Sequence, residues 1–260
     1  MTYRRAEALN AVLDQCDLPL TPGELLLGSS TGRFTASGDP EALREARQYL
    51  EGIGGRSFLT NLDHIAPDYP LLLEQGIGGL RRKAERSLAN HSEAQKKVFL
   101  ESVLLALGGV RRHIGRWADA AAQAALDTPQ WAELLSWQVE MLTHLQHGAP
   151  RTFWEALQLT YLMHCIFQLD ERYAMAFGRI DQFLYPFYQA DLAAGRISNE
   201  LAQELLTHFF AKAAHHGDIQ NICIGGVDEE GSDATNELST MCLEACQRVG
   251  QPGGNLTARI

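Results

Sequence analysis

The sequence has few basic residues for its length. Its 260 residues hold 22 Lys and Arg against 32 Asp and Glu, which gives a formal net charge of -10 and an isoelectric point near 5.4. Nucleic acids and anionic membrane surfaces bind basic faces, so this balance excludes both as expected partners. The basic runs Arg81–Lys83 and Arg111-Arg112 are short and lie in helical patterns, which favours a solvated helix face for each.

Long apolar runs are also missing. The longest one, Phe153–Leu169, contains Glu155, Gln158 and His164. It is too polar to span a membrane, and it predicts a buried core helix instead. No apolar segment follows Met1, so we expect no signal peptide and a cytoplasmic location.

Cysteine is scarce and shows no pairing pattern. The five cysteines are odd in number and scattered, which is typical of proteins in a reducing cytoplasm. Cys242 and Cys246 would share one helix face, but no further ligand has metal spacing with them, so we expect no metal site. The histidines at 208, 215 and 216 are interpreted as surface or helix-end residues.

Two G-I-G-G turns, at Gly52–Gly55 and Gly76–Gly79, follow helical patterns rather than strands. A phosphate-binding loop requires a strand before the glycines and a helix after them. Both turns are therefore predicted to be glycine caps at helix C-termini.

Helical patterns dominate what is present. Capping residues and apolar stripes predict helices for residues 40–51, Ser92–Gly108 with a helical partner through Ala125, residues 129–142, Phe153–Leu169, residues 199–213 and Asn236–Arg248. The strand patterns are few and comprise Leu25–Gly28, Asn221–Val227 and Asn255–Ile260. The order strand, helix, strand predicts a parallel βαβ unit, so the expected fold class is predominantly α with a few parallel strands.

Arg179 and Asp181 are opposite charges inside the otherwise apolar segment Phe177–Gly195. A buried charge is costly unless it is paired. We therefore predict a structural ion pair between Arg179 and Asp181 that fixes one packing arrangement.

Several motifs appear in a fixed order along the second half of the chain. They are P-R-T-F-W-E-A-L-Q at Pro150–Gln158, G-R-I-D-Q-F-L-Y-P-F-Y at Gly178–Tyr188, N-I-C-I-G-G at Asn221–Gly226, D-A-T-N-E-L at Asp233–Leu238 and N-L-T-A-R at Asn255–Arg259. In this order they resemble the pyruvate formate-lyase domain of the glycyl radical enzymes. Upstream the resemblance is thinner and comprises Arg4–Ala6, Glu24–Gly28, Asp63-His64 and Tyr69–Gly79.

The resemblance implies a fold and a domain organisation. Residues 1–260 would be one partial domain, belonging to a ten-stranded β/α barrel. Residues 1–60 would be its poorly matched N-terminal part, and residues 61–260 would supply the helical shell and the first barrel strands.

The resemblance also implies substrate-binding residues, namely His64, Asn255 and Arg259. His64 matches a histidine that hydrogen-bonds a substrate hydroxyl in the dehydratase-like branch. Arg259 is suited either to bind a carboxylate bidentately or to form a structural salt bridge. That branch commonly has serines where this chain has Ala174 and Ala176. Methyl groups cannot replace those hydrogen bonds, which argues against a hydroxyl-bearing substrate.

The family's chemistry needs a radical glycine near the C-terminus and a thiyl cysteine in a mid-barrel loop, and both are expected beyond Ile260. None of the five cysteines has the family's sequence context, and Cys165 and Cys223 are interpreted as packing residues. We therefore expect no catalytic residue and no directly bound cofactor in this chain. A separate S-adenosylmethionine iron–sulfur activase would install the glycyl radical on another segment.

Three functions remain open from the sequence. The first is a fragment, split subunit or decayed paralogue of a glycyl radical lyase or dehydratase of anaerobic metabolism, with pyruvate cleavage (formate acetyltransferase), polyol dehydration and decarboxylation all possible. Its partners would be a second chain with the radical and cysteine elements, the activase and a small-molecule substrate. The second is a non-catalytic interaction module derived from that family, and the third is a helical small-molecule-binding domain. A partial barrel leaves open strand edges, so we expect an oligomer.

Overall fold

The computed structural model describes residues 2–30, 44, 48, 64–170, 174–215, 219–250 and 255–259. In this part the helices are α1 (Thr2–Gln15), α2 (Tyr69–Asn90), α3 (Ala94–Asp127), α4 (Ala132–Leu145), α5 (Phe153–Leu169), α6 (Ile180–Phe183), α7 (Tyr185–Ala193), α8 (Asn199–Ala214) and α9 (Glu237–Val249). The strands are β1 (Asn221–Gly225) and β2 (Asn255–Arg259), and a 3₁₀ turn covers Pro129–Trp131. The helix predicted for residues 40–51 lies outside the described residues apart from Arg44 and Gln48, which are helical, and the turn Gly52–Gly55 lies wholly outside them.

Helix α5 forms the centre of the core. From Phe153 to Ile166 every residue except the half-buried Trp154 is buried. A helix that is apolar on all sides is stable only when other elements surround it, and each large side chain that it buries contributes about 1.5–3 kcal/mol. The core helix predicted from the sequence is therefore confirmed. Among the described residues, no helix combines the length and the apolarity that crossing a membrane requires.

The N-terminus of α5 is fixed by side chains. The Oγ1 of Thr152 accepts a hydrogen bond from the N–H of Glu155 at 3.2 Å, which is one half of a capping box. Glu155 does not complete the box, because its carboxylate accepts from the N–H of Arg151 at 2.5 Å and pairs with that guanidinium. Asp191 accepts from the N–H of Phe153 at 2.7 Å. Two buried carboxylates thus stabilise the positive end of this helix dipole.

Helix α3 is one continuous helix of 34 residues, where the sequence predicted a helical pair. The glycines in its middle do not end it, because they serve a helix crossing. A Cβ atom at Gly109 would lie 1.8 Å from the Oδ1 of Asn10, so glycine leaves room for this side chain of α1 against α3. Arg112 reinforces the crossing with two hydrogen bonds to Asp14, of 2.8 and 3.0 Å.

Helix α2 consists of two helical segments that meet at a kink at Gly76. Gly76 has φ 60° and ψ 173°, a conformation that is essentially restricted to glycine. A Cβ atom at this position would lie 2.3 Å from the carbonyl oxygen of Gly148, and one at Gly78 would lie 2.0 Å from that of His147. The prediction that Gly76 ends a helical segment is therefore confirmed, but a second helical segment follows it directly. These glycines also allow the turn after α4 to pack against the kinked helix.

The segment Leu25–Gly28 is not a strand, although the sequence predicted one. Gln158 occupies the place of a neighbouring strand, since its Oε1 accepts from the N–H of Leu27 at 2.8 Å and its Nε2 donates to the carbonyl of Leu27 at 2.6 Å. Trp154 donates its indole N–H to the carbonyl of Leu25 at 2.8 Å. Side chains of the central helix thus satisfy this backbone in place of a sheet.

The described sheet has β1 in its middle. β1 and β2 are parallel, with Asn221 opposite Asn255 and Gly225 opposite Arg259. On the other side of β1, Gly178 forms a parallel bridge with Ile222. Helix α9 connects β1 to β2, so the predicted parallel βαβ unit is confirmed.

Candidate functional site

The two faces of the sheet differ in composition. Ile222, Ile224 and Leu256 pack into the helical core. Successive side chains of a strand point to opposite faces, so the face without helices carries a different set. We call this set the polar sheet face, and its members are Asn221, Cys223, Asn255, Thr257 and Arg259. All five are exposed except Cys223, which is half-buried.

This arrangement corrects the packing role predicted for Cys223. Its neighbours in the strand, Ile222 and Ile224, enter the core, and Cys223 therefore lies on the opposite face. In β/α barrels the helices cover the outside and the other face of each strand lines the interior. The polar sheet face is thus the surface on which a barrel of this kind would hold a ligand.

A turn of two glycines ends β1. Gly225 has φ 66° and Gly226 has φ 88°, both in the left-handed region that favours glycine. A Cβ atom at Gly225 would lie 2.9 Å from the carbonyl oxygen of Arg259, and one at Gly226 would lie 3.2 Å from the Cβ of Arg259. The turn therefore lies directly against the carboxyl end of β2. In parallel α/β proteins, ligands bind at the carboxyl ends of the strands.

Arg179 and Asp181 bind this turn from two sides, and the predicted ion pair between them is corrected. The guanidinium of Arg179 donates to the carbonyl oxygens of Gly225 at 2.8 Å and Val227 at 3.2 Å. The carboxylate of Asp181, which is fully buried, accepts from the N–H of Gly225 at 2.7 Å. Among the described residues no salt bridge joins the two side chains, and the backbone of Gly225 binds each of them instead. The Oδ1 of Asp181 and the Nε of Arg179 are buried and have no hydrogen-bond partner.

The same carboxylate also connects the turn to α9. Ser239 donates its hydroxyl to the Oδ2 of Asp181 at 2.6 Å, and Asn236 donates its amide to the backbone carbonyl of Asp181 at 2.9 Å. Asn236 and Ser239 also form a reciprocal capping box at the N-terminus of α9. Sequence reasoning placed the start of this helix at Asn236 but assigned no further role to either residue. Ser239, the polar residue at position N3, is the signal in the sequence from which the capping box follows.

The loop after the turn is held to α6. The N–H of Ala234 donates to the carbonyl of Gly226 at 2.8 Å, and Gln182 donates its amide to the carbonyl of Ala234, also at 2.8 Å. These bonds explain why G-R-x-D-Q, N-x-x-I-G-G and D-A-x-N appear together, since their polar side chains bind one another's backbone.

Arg259 and Asn255 lie on the same sheet face but at its opposite ends. Arg259 is level with Gly225, whereas the N–H of Asn255 donates to Gln220 at 2.9 Å, before β1 begins. Four residues of strand separate them, or about 13 Å at ~3.3 Å per residue.

His64 lies away from Arg259. The carbonyl of the adjacent Ile65 accepts from the N–H of Ala176 at 2.9 Å, and Ala176 precedes the bridge of Gly178 to Ile222. His64 is therefore near the amino end of the sheet, about five residues or roughly 17 Å along the strands from Arg259. Its side chain is exposed. The structure thus does not bring His64 and Arg259 together.

Ala174 and Ala176 also lie near the amino end of the sheet, in the segment that precedes Gly178. Ala174 is buried and has φ 60°, the only positive φ of a residue other than glycine in the described part of the chain. A left-handed conformation strains a residue that has a Cβ atom. Ala176 is half-buried and bonds to Ile65, so the segment that carries these alanines lies beside His64.

The thiols are poorly suited to contact a ligand, with one exception on the polar sheet face. Cys16, Cys165 and Cys242 are buried, and all five cysteines are free of disulfides. Burial raises the pKa of the Cys165 thiol to about 12 and raises the pKa of Cys242 well above its ordinary value. Cys246 is half-buried on α9, so Cys223 is the half-exposed thiol that faces the candidate site.

An open groove lies beside the turn on the helical side. It has a volume of about 640 Å³ and includes Asp228, Asp233 and Glu237 in its wall. Tyr185 donates its hydroxyl to Glu237, and this bond raises the pKa of the tyrosine. No group of three His, Cys, Asp or Glu side chains among the described residues is arranged to hold a metal ion. The groove is acidic, whereas Arg259 presents a cation on the polar sheet face.

Known proteins resemble the chain along most of its length. Probable dehydratase YbiW of Escherichia coli is 34% identical over 224 residues, which cover 75% of this chain and 28% of the relative. (2S)-3-sulfopropanediol dehydratase of Klebsiella oxytoca is 29% identical over 222 residues, which cover 74% of this chain and 27% of that enzyme. The chain thus spans about a quarter of the length of these relatives and matches their N-terminal part.

The fold has a counterpart among solved structures. The glycerol-bound form of the B12-independent glycerol dehydratase from Clostridium butyricum superposes with a TM-score of 0.86 at 22% identity. The superposition covers 100% of this chain and 42% of that one. The fold class predicted from the sequence, a predominantly helical part of a glycyl radical enzyme barrel with parallel strands, is therefore confirmed. The pyruvate formate lyase-like family model matches residues 40–260, and the chain belongs to this family.

Proposed function

We propose that this chain supplies the helical shell and the first interior strands of a glycyl radical lyase or dehydratase. The observation that carries the proposal is the polar sheet face, which ends at a glycine turn fixed by Arg179 and Asp181 and presents Arg259 at the carboxyl end of β2. Such a wall excludes water and oxygen from a reactive radical, which is the protein's part in cofactor and radical chemistry.

The radical itself would be carried outside these 260 residues. A thiyl radical must touch its substrate, and Cys16, Cys165 and Cys242 are each about 1% exposed. Cys246 lies on α9, and Cys223 faces the site but lacks the sequence context of the family's thiyl cysteine. We therefore propose that a polypeptide segment outside this chain provides the radical glycine and the cysteine that relays the radical. A separate S-adenosylmethionine iron–sulfur activase in the cytoplasm would install the radical.

The substrate would be a small organic anion. Arg259 is an exposed cation whose planar guanidinium binds carboxylates and sulfonates with two parallel hydrogen bonds. The name of the Klebsiella relative gives a sulfonated diol as its substrate, which supports an anionic class. His64 and Asn255 remain proposed substrate contacts at the amino end of the sheet, a position that one small anion bound to Arg259 does not reach at the same time.

A second candidate function is a non-catalytic interaction module. The exposed edge of β2 favours it, because within the described residues this edge has no neighbouring strand. An unpaired edge is a template for strand addition by another chain.

Thiol footprinting of the full chain tests the binding proposal. Cys223 lies on the polar sheet face, and Cys246, the other half-buried thiol, lies on α9 and serves as an internal control. We expect propane-1-sulfonate, an organic anion without hydroxyls, to slow alkylation of Cys223 by iodoacetamide and to leave Cys246 unaffected. Equal rates with and without the sulfonate, or equal protection of both thiols, would count against ligand binding at this face.

Reconstitution tests the catalytic proposal. The chain would be incubated anaerobically with a glycyl radical activase, alone and together with a polypeptide that carries the cysteine loop and glycine motif of a relative. We expect an electron paramagnetic resonance doublet only in the mixture. A doublet from this chain alone would show that the radical residue lies within it.

A further inference from the structure

The turn at Gly225 and Gly226 contacts both Arg259 and the segment of Arg179 and Asp181, which are far apart in the sequence. Arg179 and Asp181 hold the peptide of Gly225, and Arg259 lies against Gly226. The three atoms nearest to a Cβ built on Gly226 are the Cβ, Cδ and Nε of Arg259, at 3.2, 3.5 and 3.5 Å. The stem of this arginine therefore lies on the surface that the missing side chain leaves open.

The backbone of β2 is fixed by the same turn. The N–H of Gly226 donates to the carbonyl of Arg259 at 3.0 Å, so both the backbone and the side chain of Arg259 take their position from Gly226. Arg179 binds the carbonyls of Gly225 and Val227, the two residues that flank Gly226. A rotation of the peptide between Gly225 and Gly226 would break the bond from Arg179 to Gly225 and the bond from Gly226 to Arg259, and Arg259 would move with it.

We propose that Arg179 and Asp181 are positioning residues for Arg259. They fix the two-glycine turn, the turn fixes the direction of the Arg259 guanidinium, and this direction sets which anions the polar sheet face accepts. Asp181 contributes from the buried side by holding the N–H of Gly225, and Arg179 contributes from the opposite side through two carbonyl bonds. The effect on anion choice depends on the proposed function, whereas the effect on the order of Arg259 does not.

The chemistry of the two residues predicts different consequences of conservative changes. The amide oxygen of asparagine can accept both bonds that the Oδ2 of Asp181 accepts, from Gly225 and Ser239, so Asp181→Asn retains the restraint. Lysine keeps the charge of Arg179 but lacks the planar fork that reaches two carbonyls at once. Arg179→Lys is therefore a mild variant that loses the restraint without leaving a large cavity.

Nuclear magnetic resonance of the full chain measures the proposal directly. The readout is the ¹⁵N order parameter of the Arg259 Nε–H, and we expect it to be lower in Asp181→Ala and Arg179→Lys than in the wild type. Asp181→Asn is expected to restore the wild-type value. Asp191→Ala is the matched control, because Asp191 is also a buried carboxylate that accepts a backbone N–H, at 2.7 Å from Phe153.

The outcomes separate positioning from general destabilisation. An unchanged Arg259 order parameter in Arg179→Lys overturns the proposal, and so does an equal loss of order in Asp191→Ala. If Asp181→Ala does not fold, Arg179→Lys and Asp181→Asn decide the question on their own.

A titration with propane-1-sulfonate, followed at the Arg259 Nε–H resonance, tests the link to anion choice. We expect the apparent dissociation constant to rise at least fivefold in Arg179→Lys. No binding to the wild type, combined with loss of order in the variants, would refute the anion role of Arg259 and still support positioning.

Discussion

Gln158 forms hydrogen bonds with both backbone groups of Leu27, a residue 131 positions earlier in the chain. The amide of Gln158 is fully buried, and so is the side chain of Leu27. One side chain of the central helix thus does for this segment what a neighbouring strand would do in a sheet. This contact attaches the N-terminal region to the core together with the crossing of α1 and α3 and the bond from Trp154 to Leu25.

Replacing Gln158 with leucine tests that attachment. Gln158→Leu leaves the N–H and the carbonyl of Leu27 buried without partners, and each such group costs about 1–3 kcal/mol. We expect the free energy of unfolding, measured in urea, to fall by about 2–5 kcal/mol. Gln95→Leu is the control, because Gln95 is exposed on α3 and its loss should change stability by less than about 0.5 kcal/mol. Similar losses in the two variants would contradict the assigned role.

Alanine substitutions at two glycines with left-handed φ distinguish the cost of backbone strain from the cost of a steric clash. Gly76 and Gly195 have φ of 60° and 65°, but a Cβ would meet the carbonyl of Gly148 at 2.3 Å in the first case and nothing within 4 Å in the second. Gly195→Ala should cost only the left-handed strain of about 1–2 kcal/mol. Gly76→Ala adds a clash with backbone, and we expect a loss of about 3 kcal/mol or more. Equal denaturation midpoints for the two variants would show that the contact with Gly148 is unimportant.

Sequence reasoning succeeded where the signal was local. The apolar run of α5 and the cap at Thr152 predicted that helix, and the order of strand, helix and strand predicted the pairing of β1 with β2. It failed where the partner is distant in the chain. The short apolar run at Leu25–Gly28 looks like a strand until Gln158 is known to bind it.

In the candidate site, too, the sequence did not reveal contacts between residues that are distant in the chain. Two opposite charges two residues apart suggest a pair, but Arg179 and Asp181 each bind the Gly225 peptide, which lies more than 40 residues later. The pattern N-I-C-I-G-G indicated a strand and a turn. It did not indicate that Cys223 faces away from the core, because a five-residue strand with one polar flank allows either orientation.

Acid should destabilise the fold through His113. This histidine is fully buried, its Nδ1 lies 3.0 Å from the carbonyl oxygen of Leu13, and its Nε2 accepts from the indole N–H of Trp117 at 3.2 Å. Both bonds require the neutral ring with its proton on Nδ1, and burial lowers the pKa of His113 to about 4 from an ordinary value of 6.5. Between these two values the unfolded state binds more protons than the folded state, so stability falls as the pH falls.

We expect the free energy of unfolding to drop by about 1–3 kcal/mol from this residue between about pH 7 and about pH 4. Burial likewise lowers the pKa of His208 to about 4, which adds a loss of the same sign. Urea denaturation across this range in wild type and His113→Gln isolates the contribution, because glutamine does not titrate. Parallel pH profiles for the two proteins would refute a neutral buried His113.

The outer edge of β2 should mediate self-association. The N–H of Asn255 and the carbonyl of Arg259 bond toward β1, so in a parallel ladder the N–H of Ala258 points to the opposite side. Ala258→Pro removes that outward donor and keeps the bonds to β1. We expect sedimentation velocity to show concentration-dependent oligomers of the wild type and a predominantly monomeric Ala258→Pro, because an unpaired edge recruits further strands. Ala258→Val keeps the donor and should associate as the wild type does. A monomeric wild type, or equal association of both variants, would place the contact elsewhere on the molecule.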